Sequence, residues 1–236
     1  MSEPFDILYH IYYAVLRHPE KPDSCAVYLE LKTTQILFFF LPSTMNFLAH
    51  IYLAKTPQGQ IGNFIADAIK GKQYLHLPLE IQKGIIHHRA VDTFTDQHPI
   101  VRKSKQRLDP KYRHFKGVIV DILYDHFLAK NWSEYSNVDL YKYSQNHYEL
   151  LDANFEILPK KTQHMLPYMK EQNWLYNYRT IEGISKILWG MNKRTRGISQ
   201  MDLAKEDLQK NYQEFEADFT VFFKELTVFS NLFLNN

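Results

Sequence analysis

From residue 46 onward apolar positions recur at three- and four-residue intervals, the spacing of one face of an α-helix, and strand-like alternation is scarce. The spacing predicts a first helix from Asn46 to about Lys55, ended by Thr56-Pro57-Gln58-Gly59. A second runs from about Gln60 to Lys70, with Gly71 as its C-terminal cap. A third runs from about Leu79 to Asp96 and stops near Pro99, because the residue ahead of a proline is pushed away from helical geometry. A short basic stretch, 100–108, is broken by Asp109-Pro110, and further helices are predicted over about 111–131, 138–158, 162–179 and 180–191. The last begins at Ser199, where Ser199 and Asp202 match a capping box, and continues past Phe223. The expected fold class is all-α: a single helical bundle domain over residues 45–236.

Residues 1–44 break this pattern. They hold Pro4, Pro22, Pro42 and the lone cysteine, Cys25, without clear helix caps. They read as an N-terminal extension, or as sequence upstream of a start at Met45. The composition, 45% hydrophobic and 23% charged, is that of a globular chain with a sizeable core. Aromatic residues are 15% of the chain, enough to fill wide gaps between helices. A net charge of +2 excludes a chain-wide attraction for nucleic acid, so any electropositive partner surface is local. The longest apolar run, Ile36 to Leu41, falls far short of the roughly 18 to 20 residues that cross a bilayer, so no membrane association is expected. A single cysteine and no stretch resembling a secretory signal lead to the expectation of a cytoplasmic location.

The chemistry-bearing residues are unevenly spread. In the segment 84–96, His88, Asp92 and Asp96 stand four apart, so they share one helix face at successive turns and can present lone pairs in one direction. Asp121 and Asp125 repeat the spacing, with His126 adjacent, in a run where Ile119, Val120, Ile122, Leu123, Phe127 and Leu128 are apolar. Carboxylates on a helix so apolar are costly to bury unless they meet a metal or an opposite charge. Acidic pairs at this spacing also occur on ordinary solvated faces, and each segment alone admits that reading. Asp67 and His50, each in an apolar run, are weaker signals of the same kind. Oxygen and imidazole donors without thiolates favour Mn²⁺, Mg²⁺ or Fe²⁺, with Zn²⁺ also accommodated. Such an ion activates water and shields phosphate charge, and needs no nucleophilic side chain. The sequence has neither a G-x-S-x-G elbow nor a P-loop, which argues against covalent serine chemistry and nucleoside-triphosphate loops.

Between the acidic segments lies a basic one: Arg102, Lys103, Lys105, Arg107, Lys111, Arg113 and Lys116. It reads either as solvated helix surface or as a landing surface for an acidic partner. Arg89, beside His88, is placed to grip a phosphate with both arms of its guanidinium.

Taken in order, Met45-Asn46-Phe47-Leu48-Ala49-His50, Gly62-Asn63-Phe64-Ile65-Ala66-Asp67, His88-Arg89-x-x-Asp92-x-x-Thr95-Asp96 and Asp121-x-x-x-Asp125-His126-Phe127 resemble the bacterial acyl carrier protein phosphodiesterases. Trp174-Leu175-x-x-Tyr178-Arg179 and Gly190-Met191 with Arg194 extend the likeness, which covers about residues 45–230. That family is similar to HD-type metal phosphohydrolases, although here Asp125-His126 reverses the usual histidine-aspartate order. The resemblance implies an HD-like architecture and removal of the 4′-phosphopantetheine arm from holo-acyl carrier protein, with Mn²⁺ as the favoured ion. It also implies that acyl carrier protein is the partner, received by the basic segment Arg102 to Lys116. With the two acidic segments, it leads to an expected metal shell of Asp67, His88, Asp92 and Asp125, with Asp96, Asp121, His50 and His126 as supporting or further ligands. His50 or His126 is the expected proton donor, and Arg89 the expected phosphate contact. Two other readings compete: an HD-type nucleotide phosphohydrolase, and a non-catalytic helical binding module.

Overall fold

The computed structural model describes residues 47–235, so the extension expected over 1–44 lies outside the described residues. The described residues form α-helices and short 3₁₀ turns with no strand, an all-α fold. In chain order the helices are α1 (Phe47–Leu53), α2 (Pro57–Ile65), α3 (Leu79–Gln97), α4 (Pro99–Arg107), α5 (Lys116–Lys130) and α6 (Leu140–Ala153). They continue with α7 (Lys160–Glu171), α8 (Trp174–Asn177), α9 (Ile181–Arg194), α10 (Ala204–Lys210) and α11 (Tyr212–Asn235).

Helix α5 is the core of the bundle. Ile119, Val120, Ile122, Leu123, Phe127 and Leu128 are fully buried, and Asp125 and His126 go in with them. Helix α11 lays Phe215, Phe219, Phe222 and Phe223 inward and packs against α3, α4 and α5. Each such side chain contributes roughly 1.5 to 3 kcal/mol through burial. Helices α2 and α3 cross at glycines. A methyl group on Gly62 would overlap the carbonyl oxygen of Ile81, and one on Gly84 would overlap that of Gly59. The crossing brings α2 against the stretch of α3 that leads, one turn later, to His88.

Several helix ends differ from the pattern-based expectation, each for a local reason. Helix α2 starts at Pro57 rather than Gln60, because the Thr56 hydroxyl accepts from the Gly59 N–H at 3.0 Å and Pro57 needs no donor in the first turn. It ends at Ile65, and a 3₁₀ turn, Ala66–Ala68, carries Asp67. Helix α5 begins at Lys116 rather than near 111, since Arg113 takes a left-handed conformation (φ 49°) within the preceding 3₁₀ segment. The capping box at Ser199 does not form. Its buried hydroxyl accepts from Thr195 and donates to Asn192, Gln200 turns left-handed, and the helix expected there is divided into α10 and α11. No helix among the described residues is long and apolar enough to cross a membrane.

Candidate metal centre

Four side chains from three parts of the bundle meet near the middle of α3. Buried His88 points its Nε2 at Asp92 Oδ2, 3.2 Å away and one turn along the same helix, and at Asp67 Oδ1, 3.4 Å away on the 3₁₀ turn after α2. Buried His50, from the last turn of α1, places its Nε2 3.2 Å from Asp92 Oδ1. The two imidazoles stack, with centroids 3.9 Å apart and planes 23° from parallel. One donor atom each from His50, His88 and Asp92 lies within 4.8 Å of the others.

The electrostatics of this group are unusual. Burial lowers the pKa of His88, but the hydrogen bonds to Asp67 and Asp92 outweigh it and raise the pKa to about 9. Burial alone would raise the pKa of Asp92; the hydrogen bonds from His50 and His88 hold it well below the ordinary carboxylate range. His50 goes the other way, lowered by burial and by the neighbouring His88, with Asp92 acting against both. Two carboxylates thus face the one His88 ring. Asp121, half-buried on α5, adds to the acidity. Burial comes first in pushing its carboxyl well above the usual range, and the negative charge of Asp92 comes next, with Lys105 opposing. Crowded carboxylates with paired imidazoles are a donor set that a divalent cation relieves. Donor separations of about 3 to 3.5 Å suit cations whose bonds to nitrogen and oxygen are about 2.0 to 2.3 Å long. The Nδ1 atoms of both rings are buried without a hydrogen-bond partner, so the two imidazoles find their polar contacts only on the Asp92 and Asp67 side. The residues present fit a divalent ion.

The structure sends the other expected site residues elsewhere. Asp125 accepts the backbone N–H groups of Leu48 (2.9 Å) and Ala49 (2.8 Å), so its two oxygens hold the first turn of α1. Burial raises its pKa to about 7 against those two hydrogen bonds. His126 Nδ1 faces the Tyr178 carbonyl oxygen at 2.8 Å, and a carbonyl only accepts, so Nδ1 carries the proton and Nε2 accepts from the Tyr212 hydroxyl at 2.9 Å. Burial lowers its pKa, in keeping with that neutral tautomer. Exposed Asp96 binds Lys105 at 3.1 Å. Arg89 donates to the carbonyls of Ile69 (2.9 Å) and Gly71 (2.8 Å) and lies over the Tyr74 ring, fastening the loop that follows Asp67.

The basic segment is also largely engaged within the fold. Lys103 and Arg107 bind buried Asp218, Lys105 binds Asp96, and Lys116 donates to the Leu108 carbonyl. Arg102, Lys103 and Arg113 are the members classed as exposed. His50 is the ligand candidate that sequence spacing ranked low. No periodicity links it to His88 or Asp92; the signals available were its apolar setting, Phe47-Leu48-Ala49-His50-Ile51, and its place in a motif of the family it resembles.

The family model for acyl carrier protein phosphodiesterase matches residues 45–226, a span holding every residue of this centre. The chain belongs to the acyl carrier protein phosphodiesterase family. A protein of Photorhabdus laumondii named acyl carrier protein phosphodiesterase is 30% identical over 181 residues, covering 76% of this chain and 91% of that one. One of Yersinia pestis with the same name is also 30% identical, covering 76% and 94%. One of Enterobacter sp. is 29% identical over 191 residues, covering 78% and 96%. No solved structure matches the chain.

Proposed function

We propose that this chain hydrolyses holo-acyl carrier protein, releasing 4′-phosphopantetheine and apo-carrier protein, with a divalent cation held by His50, His88 and Asp92. Asp67 completes the set from the α2 side, and Asp121 is a further oxygen donor from α5. The observation that carries this reading is the convergence of His50 and His88 on Asp92, from separate helices, in a chain of this family. A cation held by helical histidine and aspartate is the arrangement the HD-type likeness implies; the donor set suits Mn²⁺, Mg²⁺ or Fe²⁺, and the family resemblance favours Mn²⁺ among them. When bound, such an ion supplies Lewis-acid activation of water and screening of phosphate charge.

In the reaction a water oxygen bonds to phosphorus, the bond from phosphorus to the carrier's serine oxygen breaks, and that oxygen takes up a proton. The chain's own residues give this chemistry a rigid frame. Asp125 fixes the first turn of α1 and thereby His50, while Arg89 fixes the loop after Asp67. An acidic carrier protein would approach through the exposed side chains of the basic segment, Arg102, Lys103 and Arg113, of which Lys103 also reaches Asp218.

The test is release of phosphopantetheine from holo-carrier protein with Mn²⁺ added. Asp92→Ala should abolish release while helical content, read by circular dichroism, stays at the wild-type level. Full activity in that variant would remove Asp92 from the centre. Turnover of mononucleotides in place of holo-carrier protein would favour a nucleotide phosphohydrolase instead.

A further inference from the structure

An open cleft of about 780 Å³ runs between the segment 68–78 and the segment 156–160. Ala68 and Leu77 form part of one wall, Ile157 and Leu158 part of the other, with Gln73 and Lys160 among the polar groups along it. Clefts of this size are typical of small-molecule sites, which combine apolar walls with a few polar groups. One wall begins next to Asp67. Ala68 is the next residue in the chain, and Arg89, the neighbour of His88, ties down the Ile69 carbonyl on that wall. On the opposite side Lys160 adjoins Lys161, a half-buried lysine within electrostatic reach of Asp67. Burial and Arg194 lower the pKa of Lys161, Asp67 opposes them, and Lys70 adds to the lowering. Lys161 thus stands within electrostatic reach of a carboxylate that already faces His88.

We infer that this cleft receives the pantetheine arm of the substrate, with the phosphate end at Asp67 and the thiol end pointing away along the walls. The inference rests on the proposed function and names the part of the chain that recognises the arm. The arm's chemistry suits the lining. Its branched methyl pair and methylenes would lie on Ile69 and Ile157, the partly buried apolar side chains of the lining, and its amides are within the repertoire of Gln73 and the exposed polar edge. An arm bound here would be held in extended form, which orients the phosphodiester before the reaction begins.

The test uses the full chain and two variants. Ile157→Trp adds bulk to the wall, and Gln73→Ala removes a polar group at an exposed position where folding is not at stake. Pantetheine is titrated calorimetrically into the metal-free wild type and into each variant, and KM and kcat for holo-carrier protein are measured with Mn²⁺. Binding of pantetheine should weaken about tenfold in Ile157→Trp and several-fold in Gln73→Ala, and KM should rise in parallel while kcat stays within about twofold. Unchanged pantetheine binding in both variants overturns the inference. A raised KM with unchanged pantetheine binding also overturns it, because the carrier's protein surface would then be filling the cleft. Failure of the wild-type chain to release any arm overturns the proposed function itself, an outcome visible separately from the calorimetry.

Discussion

A buried carboxylate is made tolerable either by a cation or by N–H donors, and Asp125 takes the second route. Its oxygens meet Leu48 and Ala49, the two residues just before His50, so its effect on the metal centre passes through the placement of that ring. Asp125→Asn turns one acceptor into a donor facing another donor. It should cost about 1 to 3 kcal/mol in denaturant unfolding and weaken Mn²⁺ binding in a metal titration. A variant with wild-type Mn²⁺ affinity would separate Asp125 from the centre altogether. His147 carries a second prediction at this scale. It is buried with its Nε2 unpartnered, its Nδ1 3.4 Å from Gln60 Oε1, and the Phe64 ring edge-on to it. Burial lowers its pKa from 6.5 to about 3. The folded state therefore keeps it neutral while the unfolded chain takes up a proton below 6.5, so stability falls as pH drops from about 6.5 toward 3. One such group gives a slope of about 1.4 kcal/mol per pH unit within that window, and His147→Phe should flatten it in pH-dependent unfolding curves.

Among elements, the α2–α3 crossing decides whether Asp67 and His88 can meet. The spacing of His88 and Asp92 is written into the periodicity of α3, but contact with Asp67 needs α2 to come closer than side chains usually permit. Gly62 and Gly84 permit it by having no Cβ. Gly84→Ala would force a methyl against the Gly59 carbonyl, and helix backbones cannot yield locally. It should destabilise the chain by about 1 to 3 kcal/mol despite alanine's better helix propensity, and it should weaken metal binding as well. Thermal unfolding with and without Mn²⁺ reads both effects, and a stabilised variant would contradict the packing described. The crossing was not legible from hydrophobic spacing, because a glycine inside a helical pattern looks the same whether or not another helix rests on it.

For the molecule as a whole, the centre joins α1, the turn after α2, and α3, while α5 anchors α1 through Asp125. A cation gripping these segments binds the folded chain and not the unfolded one. Mn²⁺ at about a hundredfold excess over its dissociation constant should add about 2.7 kcal/mol of stability, a rise of roughly 5 to 10 °C in Tm for a chain of this size. A chelator should reverse the rise, and Asp92→Ala should remove it. Differential scanning calorimetry showing no shift in the wild type would count against the metal centre.

The sequence by itself determined that the chain is helical, that His88 and Asp92 share a face, and which family it joins. These follow from residue spacing along one helix and from the order of short motifs, both one-dimensional properties. Tertiary structure decided which donors converge. It brought His50 from a different helix to Asp92, and gave Asp125 to the N–H groups of α1 and His126 to Tyr178 and Tyr212. Helical periodicity says which side chains of one helix point together, and nothing about what stands opposite. That is set by how closely helices approach and by which buried donors must be satisfied where they meet.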